Sequence, residues 1–307
     1  MPILEVKQLS IAFEQYGKGL RQETLKVIHR LELTMNEGEI TAVVGSSGSG
    51  KSLLAHAILG ILPQNAKVTG EMKYDGQRLT PSLQSVLRGK EIAFIPQSVS
   101  YLDPLMKAGR HVRLAVREGK PAEEQRRVFE QYRLPRQAEK LYPFQLSGGM
   151  ARRVLVSTAV VSKARLVIAD EPTPGLDPAA IEETLRWLRE LKEDGSAVLL
   201  ITHDLEAALQ VADQVAVLYA GTSVEQAPAA DFAGSGEALR HPYSRALWRA
   251  LPQNDFAPLA GTQPTPRALP PGCLFAPRCS HATAACAQEL PEQRAVRGGR
   301  VRCIHAT

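Results

Sequence analysis

The sequence predicts an α/β fold, a sheet with helices on its faces, and three observations carry that reading. The apolar run ITAVV at 40–44 leads straight into GSSGSGKS, Gly45 to Ser52, and apolar residues at helical spacing follow: Leu54, Ala57, Ile58 and Ile61. Further short apolar runs, EIAFIPQ (91–97), RLVIAD (165–170), AVLLITH (197–203) and QVAVLYA (214–220), alternate with longer amphipathic stretches. The run at 165–170 ends on an acidic pair, Asp170–Glu171, as expected where a buried strand opens onto a polar rim. Alternation of this kind places helices over both faces of a sheet.

The elements follow in order. Residues 3–9 and 27–35 read as strands, and EGE at 37–39 as a turn before the buried strand that enters the glycine loop. A helix begins at Lys51. Between the runs at 91–97 and 165–170 lies a mostly helical insert, about 98–163, which reads as a subdomain. Composition shifts after residue 230. Seven of the 26 residues from Pro252 to Pro277 are proline, which predicts an extended linker rather than a packed element. The chain therefore divides into a cassette over 1–230 and a C-terminal extension over 231–307.

At 307 residues, with 44% hydrophobic and 22% charged side chains, the chain has the composition of a globular protein with a real core. No apolar stretch reaches the 18 residues a membrane span requires, the longest being runs such as SAVLLIT, and the N-terminus MPILEVKQLS has no signal-peptide pattern. A cytosolic location is expected. The net charge of +5 comes from scattered Arg and Lys, a pattern that favours no extended nucleic-acid surface.

Candidate chemistry starts at the glycine loop. Gly45, Gly48 and Gly50 let backbone N–H groups turn inward around phosphates, together with those of Ser46, Ser47 and Ser49. Lys51 reaches the outer phosphates and Ser52 is placed to ligate Mg²⁺. Asp170 is the second candidate Mg²⁺ ligand, and Glu171 can polarise a water for in-line attack on a γ-phosphate. His203 closes another strand on the same rim. A second anion site is written in LSGGM, where Ser147 and the amides of Gly148 and Gly149 open the helix GGMARRVLVSTAVV. Since the first loop already holds its phosphates, this second loop makes sense as a cap on a nucleotide held by another subunit.

The ordered set GSSGSGKS, IPQ, LSGGM, VIADEP, GLDP and ITHD resembles the ATP-binding subunit of ABC transporters over residues 3–226. The resemblance implies a P-loop NTPase fold of the ABC type, ATP hydrolysis with Mg²⁺, and a head-to-tail dimer in which each ATP lies between one subunit's phosphate loop and the other's signature loop. It places Gln97 as the Q-loop glutamine near Mg²⁺ and water, Asp177 as the D-loop aspartate facing the partner site, and His203 as the switch histidine. Phe13 is the candidate for stacking on adenine, with Tyr16 behind it. Two departures stand out. Arg152–Arg153 occupy the place of the usual Gln-Arg pair, and TPGLDP, with Pro174 and Gly175, replaces the usual TALD. Neither removes a catalytic group.

The tail narrows the resemblance. HPYSRALWRALP (241–252), LYAGTSVEQ and LYPFQLSGGM are similar to segments of the oligopeptide, dipeptide and nickel importer group. That group implies a paralogous second ATPase, two membrane permeases and an extracytoplasmic binding protein, with this subunit peripheral on the cytoplasmic face of the inner membrane. Cargo would be di- or oligopeptides, or nickel or its chelate; LGILP (59–63) is similar to nickel-type members. The alternative is a soluble ABC-type ATPase acting on nucleic acid or the ribosome, disfavoured by the single cassette and the lack of a coiled-coil insertion. All four cysteines, Cys273, Cys279, Cys286 and Cys303, lie in the extension. Disulfides are disfavoured in a reducing cytosol, and no close CxxC pair marks a zinc site. The resemblance implies a [4Fe–4S] cluster on these four thiolates, with Zn²⁺ or free thiols as alternatives and His281 and His305 as neighbouring ligand candidates.

Overall fold

The computed structural model describes residues 2–16 and 22–307. The chain opens with two long antiparallel strands, β1 (Pro2–Tyr16) and β2 (Gln22–Asn36), followed by the wholly buried β3 (Ile40–Val44) and helix α1 (Lys51–Leu59). β4 (Ala66–Tyr74), the short β5 (Gln77–Arg78) and α2 (Pro81–Leu87) come next. β6 (Ile92–Ile95) leads into the insert, which holds α3 (Ala108–Ala115), α4 (Pro121–Gln131) and α5 (Gly148–Ser162). β7 (Leu166–Asp170), α6 (Pro178–Glu193), β8 (Ala197–Thr202), α7 (Leu205–Leu209), β9 (Gln214–Tyr219) and β10 (Thr222–Pro228) complete the cassette. The extension adds α8 (Pro242–Arg249) and the hairpin β11 (Arg294–Val296) and β12 (Gly299–Val301).

Two sheets result. The larger runs β11-β12-β10-β9-β3-β8-β7-β6, and a smaller one runs β2-β1-β4-β5. From β9 to β6 every pairing is parallel. Parallel strands are covered on both faces and so read as unbroken apolar runs, which is why β3, β7 and β8 are buried end to end. One face packs on α5, α6 and the insert; the other packs on α1 and the small antiparallel sheet. Shared polarity brings the C-terminal ends of β3, β6, β7 and β8 to one rim, and the candidate site lies there. No helix among the described residues is long and apolar enough to cross a membrane.

Two features differ from the sequence expectation. The small sheet is larger than two apolar stretches suggested, because β1 and β2 continue well past residues 9 and before 27 and β4 joins them in antiparallel register. The extension is also not set apart from the cassette. Its hairpin pairs β12 with β10, Glu225 opposite Val301, so one sheet spans the compositional boundary at 230. The proline-rich stretch does lack helix and strand, running from the end of α8 to a short 3₁₀ turn at Ala276–Arg278.

α8 starts on a buried histidine. Pro242 stands in its first turn, and the Nδ1 of His241 accepts the Tyr243 N–H at 3.0 Å. That acceptor must be unprotonated. Burial pushes the imidazole down from 6.5 to about 3, and His29 is likewise pushed down to about 4. The unfolded chain takes up these protons near pH 6.5, whereas the folded chain resists until far lower. Stability is therefore full above pH 6.5 and falls as pH drops through the window, by roughly 2 kcal/mol from His241 alone between pH 6.5 and 5. His241→Asn, which keeps a capping acceptor without a titrating ring, should flatten this dependence; thermal midpoints from pH 8 to 5 would refute it if both proteins declined in parallel.

Candidate nucleotide site

The phosphate loop leaves β3 through two glycines that cannot be replaced. A Cβ on Gly45 would lie 2.4 Å from the Leu218 carbonyl oxygen, and Gly50, at φ 94°, would drive a Cβ into Ile28. Between them the loop turns its backbone around a cavity of about 750 Å³, whose lining includes Ser46, Ser47, Gly48, Lys51, Ser52, Gln97, Glu171 and His203. Lys51 is buried, its Nζ donating to the carbonyls of Gly45 at 2.8 Å and Ser46 at 3.2 Å, with Glu171 Oε1 3.8 Å away. Burial lowers the affinity of this ammonium for its proton, while Glu171 and Asp170 counteract. An ammonium satisfied mainly by its own loop is free to exchange those weak partners for phosphate oxygens.

Two of the metal-ligand candidates, Ser52 and Asp170, are in contact. Ser52 Oγ donates to Asp170 Oδ1 at 3.1 Å, across the ends of α1 and β7. Burial raises the Asp170 carboxyl, the Ser52 hydrogen bond opposes it, and Glu171 beside it adds to the rise. Two oxygens sharing one buried position beside a second carboxylate fit a hard divalent cation, which would relieve both the desolvation and the crowding of carboxylates.

Glu171 holds a backbone conformation uncommon for a side-chain-bearing residue, φ 45°, secured by its N–H on the Ile201 carbonyl at 2.8 Å. The twist turns its carboxylate into the cavity, where Oε2 meets His203 Nδ1 at 2.8 Å. Glu171 is thus buried with Lys51 on one oxygen and His203 on the other, while His203 itself is exposed.

The residues of the candidate second anion site lie elsewhere on the surface. Ser147 caps α5 by accepting the Met150 N–H at 3.3 Å, and Ser147, Gly148 and Gly149 are all exposed and absent from this cavity's lining. Asp177 caps α6 in the same way, through the Ala180 N–H at 3.0 Å, and is exposed. The two arginines that follow the signature loop, Arg152 (in place of the usual Gln) and Arg153, part company. Arg152 turns inward to the carbonyls of Pro172 and, at 3.4 Å, Gln97, tying α5 to the loops after β6 and β7, whereas Arg153 pairs with Glu183 at 3.4 Å.

Phe13 is not among the cavity residues. It sits on β1 opposite Leu25, partly buried against the core between the sheets, and Tyr16 is exposed at the strand's end. Val27 of β2 and, from the extension, Tyr243 and Leu247 line the cavity instead. Sequence reasoning passed over these three because no phosphate-site pattern includes them; their only signal was the aromatic in HPYSRALW.

The four cysteines are free and gather in one part of the extension. The Cys273 N–H donates to the Cys286 carbonyl at 2.8 Å, and Cys286 Sγ lies 3.4 Å from His305 Nε2. Burial pushes the Cys273 and Cys279 thiols up, with Cys303 and Cys286 adding to the rise. Among the described residues, however, no three His, Cys, Asp or Glu side chains surround a common point that could hold a metal ion.

A phosphate loop with its lysine, a serine–aspartate pair and a carboxylate–histidine pair on one rim of a parallel sheet define an ATP-binding cassette. The chain belongs to the ABC transporter family. Its residues 28–174 match the model for ABC transporters, and residues 224–286 match that for the oligopeptide/dipeptide transporter C-terminal region. It is 34% identical to the dipeptide transport ATP-binding protein DppD of Escherichia coli, over 99% of this chain and 97% of that protein. It is 33% identical to the oligopeptide transport ATP-binding protein OppD of Salmonella typhimurium, over 98% and 92%. Among solved structures, a dimeric ATP-binding cassette in a post-hydrolysis state with ADP and Pi superposes with a TM-score of 0.65 at 26% identity, over 74% of this chain and 98% of that one.

Proposed function

We propose that this chain is the peripheral ATP-hydrolysing subunit of an importer for dipeptides or oligopeptides. The observation that carries the reading is a hydrolytic set, Lys51, Ser52, Glu171 and His203 around one cavity with Asp170 bonded to Ser52 behind it, in a chain whose extension matches the peptide-transporter C-terminal region. Relatives named for dipeptide and oligopeptide transport favour peptides over nickel as cargo. Ser52 and Asp170, with Gln97, would hold Mg²⁺, which supplies charge neutralisation to the phosphates when bound. Lys51 binds the outer phosphates, Glu171 accepts the proton of the attacking water at its carboxylate, and His203 orients that carboxylate.

Because Ser147, Gly148, Gly149 and Asp177 are exposed away from the cavity, they are read as caps for ATP on a second, paralogous ATPase subunit. Two permeases in the inner membrane and an extracytoplasmic binding protein complete the assembly, this subunit lying on the cytoplasmic face. ATP drives it by binding the closed dimer better than the open one, since only differential affinity shifts a conformational equilibrium. Reconstitution with those partners tests the reading: peptide uptake should require ATP and fall about 10²–10³-fold with Lys51→Ala. Uptake indifferent to that change, or ATP turnover stimulated by nucleic acid and not by peptide-loaded binding protein, would discard it.

The [4Fe–4S] cluster on Cys273, Cys279, Cys286 and Cys303 is a separable part of the proposal. The donors fit in kind and number, though the thiols are not arranged around one point here. A cluster would add cross-links between the two ends of the extension. Anaerobically purified protein should contain about four iron and four acid-labile sulfide per chain; about one zinc, or neither metal, refutes the cluster.

A further inference from the structure

The extension reaches into the nucleotide cavity. Tyr243 and Leu247, one turn apart on α8, line it together with Lys51, Ser52, Glu171 and His203. Tyr243 is 4% exposed and packs in a triangle of aromatic rings, with Tyr219 at 4.6 Å and Phe275 at 5.3 Å between centroids and those two 5.2 Å from each other. Ser46, the second residue of the phosphate loop, lines the same cavity as Tyr243, and its side chain and backbone oppose the rise that burial gives the Tyr243 phenol. From the proline-rich stretch, Gln263 comes to the same residue: the Ser46 hydroxyl donates to its Oε1 at 2.5 Å.

Ser46 is itself exposed, yet its carbonyl is one of the two that hold the Lys51 ammonium. The loop around it contains Gly45, Gly48 and Gly50, and the side chain that braces it from within is Lys51, the one that must turn to the phosphates. A glycine-rich loop loses more conformational freedom on ordering than any other segment, so a contact that orders it before the ligand arrives strengthens binding. Neither Tyr243 nor Gln263 is a hydrogen-bond or ion-pair partner of Glu171 or His203, which bond each other and, through the other Glu171 oxygen, approach Lys51.

We propose that Tyr243 and Gln263 are positioning residues for the nucleotide, two grips from the C-terminal extension that fix Ser46 and with it the orientation of Lys51. This rests on the ATP-binding reading above. The grips act on affinity and leave the hydrolytic step alone, and because both act through the Ser46 hydroxyl their effects converge there.

The test uses the full chain for equilibrium binding of a fluorescent ATP analogue and the assembled transporter for ATP turnover. Tyr243→Phe keeps the ring packed against Tyr219 and Phe275 while removing the hydroxyl, and Gln263→Ala alters a half-buried side chain outside any helix or strand. Each should raise Kd and KM for ATP about 3–10-fold, the range of one lost hydrogen bond, with kcat within about twofold. In a Ser46→Ala background neither should add a further loss. Unchanged affinity in both variants, losses that add fully to that of Ser46→Ala, or a fall in kcat at constant KM would each overturn the inference. A wild-type chain that bound no ATP would overturn the nucleotide reading as well; wild-type binding with indifferent variants would overturn the inference alone.

Discussion

Glu171→Gln should leave ATP bound and cut its turnover about 10²–10⁴-fold, the usual contribution of a positioned general base. The amide can still meet His203 and is nearly the same size, so the buried geometry around Lys51 survives; what disappears is the capacity to take a proton from water. The loss should fall on kcat, with KM for ATP within a few-fold of wild type, because no phosphate contact has been removed. His203→Ala provides the companion measurement. It takes away the 2.8 Å partner of Oε2 and leaves Glu171 beside Lys51 alone, free to swing toward the ammonium 3.8 Å from its other oxygen. A smaller loss than that of Glu171→Gln is expected, and the double variant should be little worse than Glu171→Gln by itself, since the histidine acts through the carboxylate. Single-turnover hydrolysis and nucleotide binding in the assembled transporter decide it. Turnover by Glu171→Gln within about threefold of wild type would mean that the base is another group.

The parts of this site legible in the sequence are those where local chemistry and backbone geometry coincide. Strand, glycine loop and helix are contiguous from Ile40 to Leu59, so Lys51 and Ser52 could be placed from pattern alone. Asp170 and His203 followed because a parallel sheet delivers the ends of its strands to one rim whatever the loops do. What escaped depends on register and on contacts distant in sequence. The pairing of Glu171 with His203 required the left-handed twist at Glu171, and a glutamate carries no sequence mark of positive φ. Phe13 was placed by an aromatic's expected role, but alternation along β1 turns it toward the intersheet core. The extension was misjudged for a physical reason as well. A high proline content does forbid helix and ladder over 252–277, yet it says nothing of where the chain returns, and Gln263 ends beside Ser46, 217 residues away. Nor does composition show that Gly299–Val301 will complete the edge of β10, because a three-residue strand is too short to display a period.

Glu225→Ala should loosen the whole extension from the cassette. Glu225 lies in the middle of β10 and is completely buried, an uneconomical position for a carboxylate unless each oxygen is satisfied. Both are. Oε1 accepts the Arg240 N–H at 2.8 Å and its guanidinium at 3.3 Å, and Oε2 accepts the His241 N–H at 2.9 Å. Arg240 continues outward to Asp231 at 2.7 Å and to the carbonyls of Val296, at 2.6 Å, and Arg297. One carboxylate thus joins β10, the start of α8 and the β11–β12 turn. Truncating it leaves a buried guanidinium and two buried amides without that partner, a loss of about 3–5 kcal/mol when one member of a buried pair is removed. Arg240→Ala should cost a comparable amount, and the double variant less than the sum, because the second deletion relieves the charge stranded by the first. The expected signature is a lowered denaturation midpoint together with new protease cleavage after residue 230, while β3, β8, β7 and β6, which lie beyond the β9 strand that Glu225 faces at Val217, keep their own folded core. Since α8 carries Tyr243 to Ser46, undocking should also weaken ATP binding, and in Glu225→Ala the further effect of Tyr243→Phe should vanish. Unchanged midpoint and cleavage pattern would show that the extension is held by its apolar contacts, Tyr219, Tyr243 and Phe275, without help from the buried charge.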